Sequence, residues 1–138
     1  MPLTHRALAC GVRFITGHRR ADGVLDYDWD GLANTETTLV AYMALANIAE
    51  IADKLIAHGR FPGTPVLAIS RATRSDERRV VATLESIALE VARSRIDAPV
   101  LFVIGEVVAL ARFMEREAFA CPAVETIDGG VLTAVAAE

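Results

Sequence analysis

Cysteine is scarce. The 138 residues contain two, Cys10 and Cys121, far apart and with neither the dense even spacing of a disulfide-stapled scaffold nor the paired spacing of a zinc site. Reduced thiols in a cytoplasmic protein are expected. No apolar run approaches the roughly 20 residues of a membrane-spanning helix, and no apolar signal stretch follows Met1, so the sequence reads as soluble and untargeted, with no membrane partner. Basic charge is also short. Against 18 Asp and Glu stand 14 Lys and Arg, a net charge of −4 with an isoelectric point near 5.4. That balance argues against nucleic acid as a partner, because domains that neutralise phosphates carry a basic face. A small anion met by local arginines stays open.

The usual marks of chemistry are missing as well. There is no acid pair, metal cluster or glycine-rich phosphate loop in the best-patterned stretch, Thr38 to Ser70. His5, His18 and His58 lack a spacing that would put two ligands on one metal, and His58 reads as a partner for a helix C-terminus. Ser70, Ser75 and Asp76 share a loop without a nearby histidine base, which argues against a hydrolase reading.

What is present is a core. Hydrophobic residues make up 53% of the chain and mean hydropathy is +0.36, enough for one globular domain over 1–138. "GVRFITG" (11–17) reads as a strand, followed by a polar loop from His18 to Asp30 and a short helix around Trp29 to Ala33 that ends at Asn34 in a left-handed conformation. Thr38 to Met43 is a compact strand. Asn47 and Glu50 have the spacing of a capping box, and Ile48, Ile51, Ala52, Leu55 and Ile56 recur at helical period until Gly59. After the turn "RFPGTP", Val66 to Ile69 is a buried strand, and a charged loop leads to "RVVATL", a further strand. Leu84, Ile87, Ala88 and Val91 mark a second amphipathic helix. "PVLFVIG" is the most continuous apolar run and hence the candidate central strand. "VVALARFMEREAF" is expected to be helical and "GGVLTAVAAE" to form an edge strand. Strands alternating with helices predict an α/β fold: a mostly parallel or mixed sheet of about five strands with helices packed on its faces.

In open α/β sheets ligands settle beyond the carboxyl ends of strands. Those ends are "TGH", "YMA", "SRAT" and "IGEVV", and Glu106 in the last is expected to be a polar anchor. Met43, taken alone, reads as core filler. "HRR" (His18, Arg19, Arg20), with Arg13 and Arg6, reads either as a solvated surface or as a weak site for carboxylates.

"PLTHR", "FITGH", "TLVAYM", "GTPVLAISRATRSDERRVVATL" and "IGEVVAL", in this order and spacing, resemble the C-terminal half of the uroporphyrinogen-III C-methyltransferases of the tetrapyrrole methylase superfamily, over about Pro2 to Leu110. The resemblance implies methyl transfer from S-adenosyl-L-methionine to uroporphyrinogen III, giving precorrin-2 for sirohaem and cobalamin, by a homodimer of two-domain α/β subunits with the donor bound between domains. It further implies that Met43 and Ala72 contact the donor, with His18, Arg19 and Arg20 as a weak site for the tetrapyrrole substrate. "YMA" has Ala44 where the family usually has glycine. The N-terminal donor-loop domain of the family has no match here, so the expectation is half of a catalytic unit, inactive by itself, with a possible N-terminal methylase domain in trans. The alternative is a non-catalytic oligomerisation or binding module that keeps the fold. Either way a homodimer or higher oligomer is expected. Met43 and Ala72 are expected near one another at the carboxyl edge of the sheet, facing one concavity.

Overall fold

The computed structural model describes residues 1–19 and 25–111. Arg20, Cys121, most of the helix expected at 107–119 and the edge strand expected at 129–138 lie outside the described residues.

The first strand, β1 (Gly11–Thr16), is followed by a short helix α1 (Trp29–Leu32), strand β2 (Thr37–Tyr42), helix α2 (Ile48–Ala57) and strand β3 (Pro65–Ser70). Strand β4 (Arg78–Thr83), helix α3 (Ile87–Ser94) and strand β5 (Val100–Ile104) complete the regular elements among the described residues, with 3-10 turns at Leu45–Asn47 and Glu106–Leu110. The sheet order is β1-β2-β5-β3-β4. Only β1 and β2 pair in parallel; β5 runs antiparallel to both β2 and β3, and β4 returns antiparallel along β3.

The continuous apolar strand is therefore central, as expected, but it runs opposite to β2 and β3. Tyr42 and Ile69 both pair with Leu101, so β2 and β3 point the same way with β5 between them. An apolar run reports burial on both faces and is blind to direction. The connection from β3 to β4 is a hairpin rather than a crossover for the related reason that the charged loop 71–77 is too short for a helix.

Alternation along the strands sends Leu39, Ala41, Val66, Ala68, Phe102 and Ile104 to one face, where Ile48, Ile51 and Leu55 of α2 and Ile87 and Val91 of α3 cover them. The helical period of those residues is what lets each helix lay one apolar stripe on the sheet. On the other face Leu67 and Val103 meet Val108, Ala111, Met1 and Leu3. Phe14 and Tyr42 share that face by strand register, stack at 6.3 Å, and stay 60% and 50% exposed.

Helix ends differ from the sequence reading in two places. Asp28 caps α1, accepting from Gly31 N at 3.0 Å, but the helix ends at Ala33 in a right-handed conformation, and the Asn34 side chain instead accepts from Glu36 N at 2.8 Å. Asn47 makes no side-chain cap on α2: its Oδ1, the acceptor a cap would use, accepts from Arg19 Nε at 3.1 Å, while Nδ2 donates to Gly17 O at 2.7 Å. Gly59, with φ +97, ends α2 as expected.

The residue after it, Arg60, reads as part of a turn yet is only 1% exposed. Its Nη1 donates to Leu32 O at 3.0 Å and Asn34 O at 3.5 Å, and its Nη2 to Thr37 O at 3.3 Å and Ile104 O at 3.2 Å. Burial lowers its pKa, and the charge of Glu106 partly restores it. The planar fork gives several donors in fixed directions, which an ammonium cannot copy. Arg60→Ala would remove the donor that these carbonyls share, at a cost of about 1–3 kcal/mol for each acceptor left unpaired where water cannot reach. We expect a loss of about 3 kcal/mol or more in urea unfolding, with Arg60→Lys recovering less than half of it.

Candidate functional site

The carboxyl ends of β1, β2 and β3 share one edge of the sheet. There the backbone takes unusual shapes. Met43 (φ 52), Arg71 (φ 51) and Thr73 (φ 68) are all left-handed although none is glycine. Such residues cost about 1–2 kcal/mol each and persist only where the surroundings hold them. The fourth non-glycine case among the described residues, Arg95, closes α3.

The first part of this edge is fixed by close packing. Gly17 N donates to Tyr42 O at 2.6 Å, and Ala44, fully buried, lies so near Gly17 that a Cβ there would run into the Ala44 backbone. Arg19 Nε donates to Asn47 Oδ1 at 3.1 Å, and its Nη2 pairs with the Glu50 carboxylate. Tyr27 donates its hydroxyl to Thr16 O while its ring meets Trp29 edge-on at 5.2 Å. Between these anchored neighbours Met43 projects outward, 64% exposed. It is not core filler.

The second part is the loop 71–77. Ser70 Oγ donates to Asp97 O at 2.6 Å. Arg71 Nη1 reaches Asp76 Oδ2 at 2.8 Å, and Arg74 Nε reaches Asp76 Oδ1 at 3.2 Å. Thr73 N donates to Glu77 Oε2 at 2.6 Å. Arg74 foremost, and Arg71 with it, hold the Asp76 carboxyl below its ordinary range; the Thr73 amide foremost, then Arg79, does so for Glu77. Ala72 is exposed between the two left-handed residues.

Met43 and Ala72 thus lie at the same edge, but not on adjacent strands. With β5 between them, their strands are separated by two ladder spacings, about 10 Å. His18 and Arg19 follow β1 at this edge, with His18 exposed and Arg19 engaged by Asn47 and Glu50. Other expected members are elsewhere. Arg6 lies before β1, by Cys10 and Glu36 at the opposite edge, and Arg13 pairs with Asp28 at 3.8 Å along the strand. Glu106 follows the carboxyl end of β5, which is antiparallel, so "IGEVV" also falls at the opposite edge; Glu106 is not an anchor beside Met43. His58 pairs with Asp30 at 2.7 Å and stacks on Trp29 at 6.4 Å.

A cavity of about 480 Å³ is lined by Pro65, Val81, Thr83, Ser86, Glu90 and Val108. It too is at the far edge, where β3 begins and β4 ends, and its polar groups are paired locally: Ser86 with Thr83 at 2.8 Å and Glu90 with Arg93 at 2.9 Å. Among the described residues no cluster of His, Cys, Asp or Glu could hold a metal ion, and no helix is long and apolar enough to cross a membrane. The sequence reading missed Asn47 and Glu77 as organisers of the edge. The Asn47–Glu50 spacing did single out the right segment, but for a cap rather than for a bond to β1.

Two outcomes follow from this geometry. Met43→Gly removes a left-handed penalty of about 1–2 kcal/mol and adds about 0.5–1 kcal/mol of backbone entropy cost. Urea unfolding should find the variant as stable as the parent or more so, by up to about 1.5 kcal/mol. For Asp76 and Glu77 the folded pKa lies below the unfolded one, so what they contribute is fully present above the ordinary carboxylate range and is lost as pH falls through the lowered values. Below about pH 4, NMR should find the 71–77 amides moving toward unfolded shifts while the β2–β5–β3 ladder is still intact.

Residues 1–88 match the family model described as Tetrapyrrole (Corrin/Porphyrin) Methylases. A uroporphyrinogen-III C-methyltransferase of Paracoccus denitrificans is 54% identical over 110 residues, 80% of this chain and 38% of that protein. Siroheme synthase 1 of Yersinia enterocolitica is 50% identical over 110 residues, 80% of this chain and 23% of that protein. A uroporphyrin-III C-methyl transferase from Thermus thermophilus, solved in native form and with S-adenyl homocysteine, superposes with a TM-score of 0.67 at 37% identity, covering 79% of this chain and 46% of that one. The chain therefore spans less than half the length of each of these relatives. By the family model, the sequence identity and the shared fold, it belongs to the tetrapyrrole methylases.

Proposed function

We propose that this chain supplies one wall of the methyl-donor site in an S-adenosyl-L-methionine-dependent uroporphyrinogen-III C-methyltransferase, corresponding to the C-terminal half of the two-domain enzyme. The observation that carries the reading is the left-handed backbone of Met43, Arg71 and Thr73 at one sheet edge, next to the two positions, Met43 and Ala72, that match donor contacts in the family. A donor slot needs thin walls and backbone groups turned toward the ligand. Exposed Met43 and small, exposed Ala72 fit the apolar part of such a wall, and the positive φ values turn the adjoining peptide groups out of the ladder.

S-adenosyl-L-methionine, when bound, supplies the electrophilic methyl group. The chain has only to bind and align, so positioning accounts for its contribution and no nucleophilic side chain is required. His18 and Arg19 offer a weak site for the substrate's carboxylates at the same edge, with Arg19 also bound to Glu50; the third expected member, Arg20, lies outside the described residues. A cytoplasmic setting and a homodimer go with this reading, as does an N-terminal methylase domain joined to this one or supplied in trans. One observation favours the alternative of a non-catalytic binding module: the open Phe14–Tyr42 face, an apolar surface of the kind that marks an interface.

Tested alone, the 138 residues should show no measurable methyl transfer and should bind S-adenosylhomocysteine only in the millimolar range. A site with one wall leaves the ligand in water, where each hydrogen bond adds little. Calorimetric titration, first alone and then with a separately expressed N-terminal methylase domain, should show affinity rising at least tenfold in the mixture. Tight binding by the isolated chain would refute the one-wall reading, and no binding in the mixture would favour the non-catalytic module.

A further inference from the structure

Loop 71–77 presents a physical problem of its own. It carries two left-handed residues, Arg71 and Thr73, without a glycine at either position, at about 1–2 kcal/mol each. The turns Arg74 N to Arg71 O and Glu77 N to Arg74 O, both 3.1 Å, shape the loop but leave the Thr73 amide to find another acceptor. It finds Glu77 Oε2 at 2.6 Å. The other carboxylate oxygen of Glu77 accepts from Arg79 Nε, on β4. The Glu77 side chain is only 20% exposed, against 45% for Asp76, so one partly sheltered carboxylate joins the left-handed turn to the regular strand.

We propose that Glu77 is the positioning residue of the donor edge: by holding the Thr73 amide from inside the loop it presets the backbone on which Ala72 faces the methyl donor. The proposal rests on the donor-wall reading above. Glu77 itself touches no ligand. Amides in a turn that mixes right- and left-handed residues can point toward one side, a geometry that attracts an anion, and here the protein's own carboxylate accepts from the Thr73 amide. With the loop held before binding, the ordering cost does not fall on the ligand. Asp76 acts differently: it joins the partly exposed Arg71 to the largely exposed Arg74, and the Thr73 amide donates to Glu77 instead.

The test uses the ¹⁵N-labelled 138-residue chain and millimolar S-adenosylhomocysteine. In the parent, the Met43 and Ala72 amides should shift on titration. Glu77→Ala should weaken that binding about tenfold and speed exchange of the Thr73 amide at least tenfold, while amides of β2, β3 and β5 keep their protection. Glu77→Gln, which retains an acceptor for Thr73, should stay within about threefold of the parent in both readouts. A Glu77→Ala chain that binds like the parent overturns the inference and leaves the donor wall standing. A parent chain with no shift at Met43 and Ala72 overturns the donor wall and the inference with it. If Glu77→Ala unfolds, the decision passes to Glu77→Gln, and a tenfold loss of binding in that variant with normal Thr73 exchange also overturns the inference.

Discussion

Four carbonyls at the ends of α1, β2 and β5 converge on one guanidinium that water barely reaches, and the amino edge of the sheet closes around it. Leu32, Asn34 and Thr37 lie in one short stretch of chain and Ile104 far from it in sequence. Leu32 and Asn34 lie outside the strands, and a buried acceptor without a donor is costly. Arg60 supplies the donors. The cost is a buried charge without a carboxylate in direct contact, offset by several charge-assisted hydrogen bonds rather than by one ion pair. Thr38 Oγ1 and Arg60 Nε have no partner, so the arrangement is near the limit of what it can satisfy.

The two edges of the sheet are therefore built on different terms. At the amino edge, main-chain acceptors are gathered inward and sealed. At the carboxyl edge, Met43, Arg71 and Thr73 turn main chain outward at a conformational cost, with Asn47, Asp76 and Glu77 securing the neighbourhood. Sealing one edge lets the other carry strain, because a fold of marginal total stability can tolerate left-handed residues in one region only if the rest is well satisfied. The antiparallel course of β5 sharpens the division, since its carboxyl end and Glu106 go to the sealed edge.

Much of this was legible, for identifiable reasons. Helices α2 and α3 follow from the spacing of Ile48, Ile51 and Leu55 and of Ile87 and Val91, because each buries a single stripe. The central place of β5 follows from "VLFVI", covered on both faces. Its direction did not follow, since hydrophobicity has no sign along a strand. The spacing of Asn47 to Glu50 matches a cap, but a longer-range donor, Arg19 Nε, takes the Oδ1 that a cap would use. Arg60 was read as turn, because nothing local distinguishes a solvated arginine from one that folds inward. Met43 and Ala72 were singled out by family resemblance. Their left-handed surroundings were invisible for the plain reason that glycine, the residue that advertises such backbone, is absent from all three positions.

The insertion of β5 between β2 and β3 also has a consequence for how the chain acquires its shape. β2 and β3, joined by α2, are ready early in synthesis, but neither has its central neighbour until residues 100–104 have emerged. Until then each presents an apolar, unpaired flank, Leu39 to Ala41 on one and Val66 to Ala68 on the other. β5, the last strand in sequence among the described residues, fills the middle of the sheet, so its contacts are long-range, and closing such loops slows folding. A nascent or clipped chain ending before Val100 would carry two open strand edges of matched register, a template for pairing with another copy of itself.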